Sequence, residues 1–304
     1  MIPSGRARAQ ACSLQALISF DKALVLAETL QGWILQADLI DQKDSRPVAV
    51  KVTKASCRSA NVSWTGQAVI ESIDSEIQVL EELEENPHEN LLSMLGCFQD
   101  EEGNMNVIYE LAICDLHSFI CENGSTSENF ARHFMGQILS GLVHLHSLGI
   151  MHLDLSLENI LLFEDSTLLK ICDFGLSQRV ESDSFLEEEL CQWQRGKFLY
   201  MAPEIAINYR KPSILADSFS AGVVLFMMLF AKPPYTFPSI EDKFYLSITY
   251  GDIPQLLEDH GCQNQLSESA QEFLSWMLCP ERRRKTAKEL LDHPWMGDSS
   301  RNCY

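Results

Sequence analysis

The chain has 304 residues, 46% hydrophobic and 22% charged, proportions that suit a folded globular protein with a sizeable core and exclude extensive disorder. Its 43 acidic and 23 basic residues give a formal net charge of −20, which sets the surface against nucleic-acid phosphates and anionic lipid and favours basic peptide partners. The 10 cysteines are scattered, with no C-x-x-C and no Cys/His zinc spacing, so reduced thiols in a cytoplasmic or nuclear setting are expected.

No apolar run of signal-peptide length follows Arg6 and Arg8, so no secretory signal is expected. From Leu24 to Lys51, the apolar runs Leu24-Val25-Leu26, Trp33-Ile34-Leu35 and Val48-Ala49-Val50 are separated by polar or turn-forming stretches, which predicts a strand meander. Ile70, Ile73, Ile77, Leu80 and Leu83 then recur at three- and four-residue spacing among acids and stop at Asn86-Pro87, the pattern of an amphipathic helix. Two short strands, Leu91 to Phe98 and Asn106 to Leu111, flank the turn-like Asp100 to Asn104. Beyond Asp115 helical spacing takes over at Phe130 to Leu148, Leu215 to Phe230, Ala270 to Leu278 and Thr286 to Leu291. The longest apolar run, Ala221 to Ala231, is too short to span a bilayer and meets Lys232-Pro233-Pro234, so it predicts a buried helix. Strands in the first third and helices after it place a hinge near Ala112. The expected divisions are an extension over 1–20, an amino-terminal lobe over 21–112, a carboxy-terminal lobe over 113–297 and a tail over 298–304.

Five short motifs follow in a fixed order: Val48-Ala49-Val50-Lys51, Glu76 in the acidic helix, His152-Leu153-Asp154-Leu155 ending at Asn159, Asp173-Phe174-Gly175, and Ala202-Pro203-Glu204. Each is weak alone, but their joint order over about Ala23 to Trp295 resembles the eukaryotic protein kinase family. The resemblance implies an α+β bilobal fold, a small mainly-β amino-terminal lobe with one helix and a larger mainly-α carboxy-terminal lobe. It also implies ATP and Mg2+ as cofactors and protein hydroxyls as acceptors. Phosphoryl transfer needs positioning and charge neutralisation more than covalent help. Lys51 is similar to the lysine that grips the α- and β-phosphates, and Glu76 to the helix carboxylate that pairs with it, with Glu71 and Glu81 as competitors. Asp154 matches the aspartate that orients the attacking hydroxyl and takes its proton. Asn159 and Asp173 match the oxygen donors that hold the metal. Leu26, Gly32, Ile34, Ala49 and Leu161 resemble the nucleotide-contacting positions, with Tyr109 behind them and the backbone of Glu110 and Ala112 as the hinge.

Other matches are structural. Glu204 and Arg284 resemble a buried ion pair. Asp217, near Gly222, resembles the aspartate that braces the catalytic loop, the plainer alternative being a helix N-cap. His152 and Phe174, with Leu80 and Met94 or Leu95, resemble an apolar stack. The run Thr286 to Trp295 is similar to calcium/calmodulin-dependent-like kinases.

The chain also departs from the pattern. Of three glycines in the phosphate-covering loop only Gly32 remains, because Ala27 and Thr29 occupy the other places, which stiffens or lifts that lid. Leu153 stands where an arginine is usual, Ser156 where most serine/threonine kinases carry lysine, and Lys197 where they usually have threonine after Gly196. Serine cannot bring positive charge to the γ-phosphate. Serine/threonine specificity is favoured over tyrosine, and the rival reading is a pseudokinase that binds nucleotide and acts as a scaffold or allosteric partner. Glu158 predicts substrates with basic residues near the acceptor. With leucine at 153, phosphate on Ser182 or Ser184 would meet the acids Glu187 to Glu189 rather than that arginine, so activity independent of segment phosphorylation is expected; Arg179 or Arg195 are the alternative clamps.

Overall fold

Strict alternation along one strand shows how the amino-terminal sheet is built: Val48, Val50 and Val52 are buried while Ala49 and Lys51 face the other way. The computed structural model describes residues 17–41, 44–69, 71–180, 197–207 and 211–297. Ile70, Ser182, Ser184, Glu187 to Glu189, Arg195, Gly196 and the expected 298–304 tail lie outside the described residues.

The chain forms two compact units, one from the residues up to Pro87 together with Leu92–Ala112, the other from His88–Leu91 together with Ile113 onward. The first unit holds five antiparallel strands, β1 (Ile18–Glu28), β2 (Gly32–Asp41), β3 (Asp44–Thr53), β4 (Met94–Gln99) and β5 (Met105–Glu110), in the order β1-β2-β3-β5-β4. Ile18, Ala37, Val48, Val50, Val52, Phe98 and Ile108 form a core on one face, with Leu35 and Leu39 packed against it. Because Ile18 belongs to that core, the sheet begins three residues inside the expected 1–20 extension.

The acidic helix runs Ile73–Glu85, and the Ser72 side chain caps it by accepting from the Ser75 backbone. Its buried stripe is Ile73, Glu76, Val79, Leu80 and Leu83, so a carboxylate occupies one core-facing position. A second short helix, Ala55–Ala60, corrects the expectation of a single helix in this unit. It spans six residues, too few for a periodic apolar pattern, and ends on Asn61 at φ 50.

The second unit is mainly helical. Glu128–Ser147 buries Ala131, Phe134, Met135, Ile138, Leu139, Leu142 and Leu145, a stripe at three- and four-residue spacing. Ile214–Phe230 is buried on nearly every side, as its continuous apolar run predicts. Three helices carried no clear apolar period and begin instead on a capping aspartate: Leu116–Asn123 on Asp115, Lys243–Tyr250 on Asp242 and Ile253–Asp259 on Asp252. Short strand pairs complete the unit: β6 (Cys114–Asp115) with β8 (Ile160–Phe163) and β9 (Leu168–Ile171), and β7 (Ile150–Met151) with β10 (Gln178–Arg179). Leu91, expected in a strand with Phe98, instead bridges Ile171. Beside it the Asn90 side chain donates to Gln137 Oε1 and the Leu169 carbonyl, each at 3.0 Å. Among the described residues no helix is long and apolar enough to cross a membrane.

Candidate active site

In the first unit, β3 and the acidic helix bring Lys51 and Glu76 together. Lys51 Nζ lies 2.8 Å from Glu76 Oε2, with side-chain exposures of 15% and 3%; a carboxylate this buried requires such a partner. Tyr109 Oη donates to the other oxygen, Oε1, at 3.0 Å, fixing the carboxylate on both sides. Of the three candidate acids, Glu76 is thus the lysine's partner. Ile34 sits opposite Lys51 in the β2–β3 register, and Ala49 opposite Tyr109 in the β3–β5 register. Glu110, the last residue of β5, pairs with Val48, and Ala112 ends the unit.

The expected phosphate-covering loop is short. β1 continues through Glu28, and the Thr29 backbone donates to the Gly32 carbonyl at 2.9 Å. Leu26 is an extra residue between the pairs Val25–Leu35 and Ala27–Ile34, a bulge that leaves its side chain 47% exposed. Gly32 has a packing cause of its own: a Cβ there would lie 1.9 Å from the Val52 carbonyl oxygen. Leu80 and Met94 are buried and Leu95 is exposed.

In the second unit the loop from His152 to Asn159 is held from below. Asp217 is fully buried, and its Oδ2 accepts from the His152 backbone at 2.9 Å and faces His146 Nε2 at 2.8 Å; its Oδ1 accepts from the Leu153 backbone at 2.8 Å. Burial by itself would raise this carboxyl, but the bonds from His146 and Leu153 win and hold it below the usual range. Asp217 is therefore a brace and not an N-cap, which is Ser213. The brace pins Leu153 at φ 65, a left-handed conformation costly for a branched side chain. His152 Nδ1 accepts from the Asp154 backbone at 3.2 Å, so Nε2 carries the proton given to the Cys172 carbonyl at 3.0 Å. The His152 and Phe174 rings lie 5.5 Å apart.

Above this brace, the Asn159 amide nitrogen donates to Asp154 Oδ2 at 2.7 Å and to the Asp154 carbonyl at 2.8 Å. Burial pushes the Asp154 carboxyl above its ordinary range and the charge of Asp173 adds to this, while Lys197, His152 and the Asn159 amide oppose it. Asp173, at φ 64, follows Cys172, whose backbone donates to the Asn159 carbonyl at 2.9 Å. Asp154, Asn159 and Asp173 thus share one small region of this unit. Leu161 lies in β8 opposite Lys170.

Lys197 is the residue whose place the sequence did not foretell. Its Nζ donates to Ser156 Oγ at 2.6 Å and to Asn159 Oδ1 at 3.2 Å. It lies 3.6 Å from Glu158 Oε2 and 3.9 Å from Asp154 Oδ2. Further along the segment, Glu204 and Arg284 form a buried two-pronged ion pair, Nη2 to Oε2 at 3.0 Å, and Arg284 also donates to the Cys279 and Leu215 carbonyls. Leaving either charge alone would cost about 3–5 kcal/mol.

The protein kinase domain family model matches residues 36–296, and the chain belongs to that family. It is 30% identical over 244 residues to the serine/threonine-protein kinase RAD53 of Saccharomyces cerevisiae, covering 75% of this chain and 28% of that one. With the calcium/calmodulin-dependent protein kinase type 1 of Macrobrachium nipponense it shares 29% identity over 276 residues, 88% of this chain and 73% of the relative. A crystal structure of Rad53 1-466 in complex with AMP-PNP superposes with a TM-score of 0.67 at 25% identity, over 94% of this chain and 68% of that one. The chain spans 28% of the yeast kinase and 41% of calcium-dependent protein kinase 29 of Arabidopsis thaliana. These relatives are serine/threonine kinases or calcium-dependent kinases by name, and the family is one of protein phosphotransferases.

Proposed function

We propose that this chain is an active serine/threonine kinase that moves the γ-phosphate of ATP to hydroxyl groups of protein substrates. The observation that carries this reading is the formed Lys51–Glu76 pair, closed on its far side by Tyr109. A lysine so held presents a fixed ammonium to the α- and β-phosphates. Leu26, Gly32, Ile34 and Ala49 would contact the nucleotide, with the backbone of Glu110 and Ala112 at its adenine edge. The AMP-PNP of the Rad53 neighbour supports ATP as the donor.

Asp154 would accept the acceptor hydroxyl's proton while Asn159 keeps its carboxylate aimed. The donors near it suit a hard cation: the Asp173 carboxylate and the Asn159 amide oxygen are oxygen ligands. No group of three His, Cys, Asp or Glu side chains able to hold a metal occurs among the described residues. That set fits Mg2+, which takes few protein ligands and completes its shell with phosphate and water. When bound, the ion neutralises phosphate charge. The acidic net charge and the half-exposed Glu158 support substrates with basic residues near the acceptor.

The test is transfer of radiolabelled phosphate from ATP to a basic Ser/Thr peptide library, with Asp154→Ala and Lys51→Met as controls. Label in the wild type and none in either variant is expected. Nucleotide binding without transfer by the wild type would defeat this reading and leave the pseudokinase alternative, which the loss of two loop glycines favours.

A further inference from the structure

Two departures from the family pattern touch each other. Ser156, which is fully buried, and Lys197 stand in sequence as separate losses, a lysine missing from the catalytic loop and a threonine missing from the activation segment. In space Lys197 Nζ lies 2.6 Å from Ser156 Oγ, so a hydroxyl and an ammonium have changed places across one contact. We propose that Lys197 is the cation of the phosphoryl-transfer step, lent to the catalytic loop by the activation segment, with Ser156 as its seat.

The contacts favour this over a surface tether. The ammonium donates to two oxygens of a single short loop, Ser156 Oγ and Asn159 Oδ1, and the carboxylates of Glu158 and Asp154 in the same loop lie at 3.6 and 3.9 Å. Ser156 and Asn159 are neutral, so they orient the charge without cancelling it. Glu158 is 44% exposed, and a partner so wet screens the ammonium only weakly. Lys197 itself keeps 34% of its side chain exposed, so the charge is not sealed away.

The role rests on the kinase reading. In transfer, the bond from the γ-phosphorus to the β,γ-bridging oxygen breaks and its electron pair leaves with ADP. The acceptor oxygen bonds to phosphorus, and its proton passes to Asp154. Negative charge then spreads over the three equatorial oxygens. A cation held 3.9 Å from Asp154, the carboxylate that would meet the acceptor oxygen, stands beside the place where that charge develops. Removing a single donor aimed at transition-state charge costs about 100- to 1,000-fold in rate. Lys197 is such a donor, so a loss of that order is expected.

The experiment compares wild type with Lys197→Met, Lys197→Thr, Ser156→Lys and the exchanged double variant Ser156→Lys/Lys197→Thr. The readouts are kcat and KM, affinity for a fluorescent ATP analogue, and the tightening of ADP by aluminium fluoride as a transition-state mimic. Lys197→Met and Lys197→Thr should lower kcat about 100-fold. They should leave ATP-analogue affinity within about threefold and abolish the aluminium fluoride tightening. The exchange should recover kcat to within about tenfold of wild type, because the cation returns from the other side of the same contact. Wild-type kcat in Lys197→Met would overturn the proposal. So would equal loss of ATP-analogue affinity, or an exchanged variant no better than Lys197→Thr, since either would make the lysine a tether. If the wild type transfers no phosphate, the kinase reading fails by itself. The aluminium fluoride comparison still decides the lysine: tightening that depends on Lys197 supports its role, and tightening absent or indifferent to it overturns it.

Discussion

Asp217→Asn removes one negative charge and almost no volume, yet three donors converge on that carboxylate at 2.8, 2.8 and 2.9 Å. An amide offers one oxygen. Set at the Oδ2 position it keeps the His152 backbone and His146 but turns its NH2 against the Leu153 backbone; set at Oδ1 it keeps Leu153 and opposes the other two. The better orientation loses one charge-assisted bond, creates a donor–donor contact in a fully buried place and weakens the bonds that remain. At about 1.5–3 kcal/mol for each bond to a charged group, the total is about 3–4 kcal/mol. For a chain of this size that lowers the melting midpoint by roughly 10 °C. The Leu153 backbone loses its clamp at φ 65 and relaxes towards ordinary dihedrals, so kcat falls at least about tenfold as Asp154 moves. The pH dependence supplies a second check. The folded carboxyl sits below its ordinary value, so its stabilisation is fully present above the unfolded value near about 4 and is lost as pH falls through the folded one. The stability gap between wild type and variant, followed by urea denaturation, should hold from pH 7 to about 5 and close below about 4. A variant melting within about 2 °C of wild type with unchanged kcat would refute the brace.

Gly32→Ala places a Cβ against the Val52 carbonyl, which is backbone and cannot swing aside. A loss of about 1–3 kcal/mol in urea denaturation without nucleotide is expected, and an undiminished midpoint would contradict the close approach. The acidic limb of kcat should lie above the ordinary carboxylate range, because Asp154 must be ionised to take the proton and its carboxyl is raised. The charged groups facing it are Lys197 and Asp173, with the His152 ring beside them. In Lys197→Met the limb should move to higher pH, measured as kcat against pH, and a limb that stays or moves lower would count against the electrostatic assignment.

The long helices were legible because their buried faces repeat at helical spacing, as in Glu128–Ser147, or because apolar residues run unbroken, as in Ile214–Phe230. The Ala55–Ala60 helix and the aspartate-capped helices were not, since capping is a local hydrogen bond that leaves little periodic trace. Lys51 and Glu76 are 25 residues apart, and the motif spacing was enough to predict their meeting. Choosing Glu76 over Glu81 needed the helix phase, which turns only some positions inward, while Glu71 falls before the helix begins. Lys197 and Ser156 are 41 residues apart. Each looked like a defect, because a substitution judged at its own position gives no sign that its complement lies across space. Asp217 could be a cap or a brace from sequence, and only burial beneath the loop decides.

Four residues, His88 to Leu91, belong with the second unit although residues on both sides of them belong with the first. The polypeptide therefore passes from one unit to the other three times, and a single cut at Ala112 cannot free either intact. A fragment starting at Ile113 would lose Asn90, stranding Gln137 Oε1, the Leu169 carbonyl and the Ile171 backbone amide that binds the Asn90 carbonyl at 2.9 Å. The amino-terminal piece would end up holding a clasp with nothing to fasten. Dissection, domain exchange between relatives and split-protein reporters would each have to treat this chain as interleaved rather than as two modules in series.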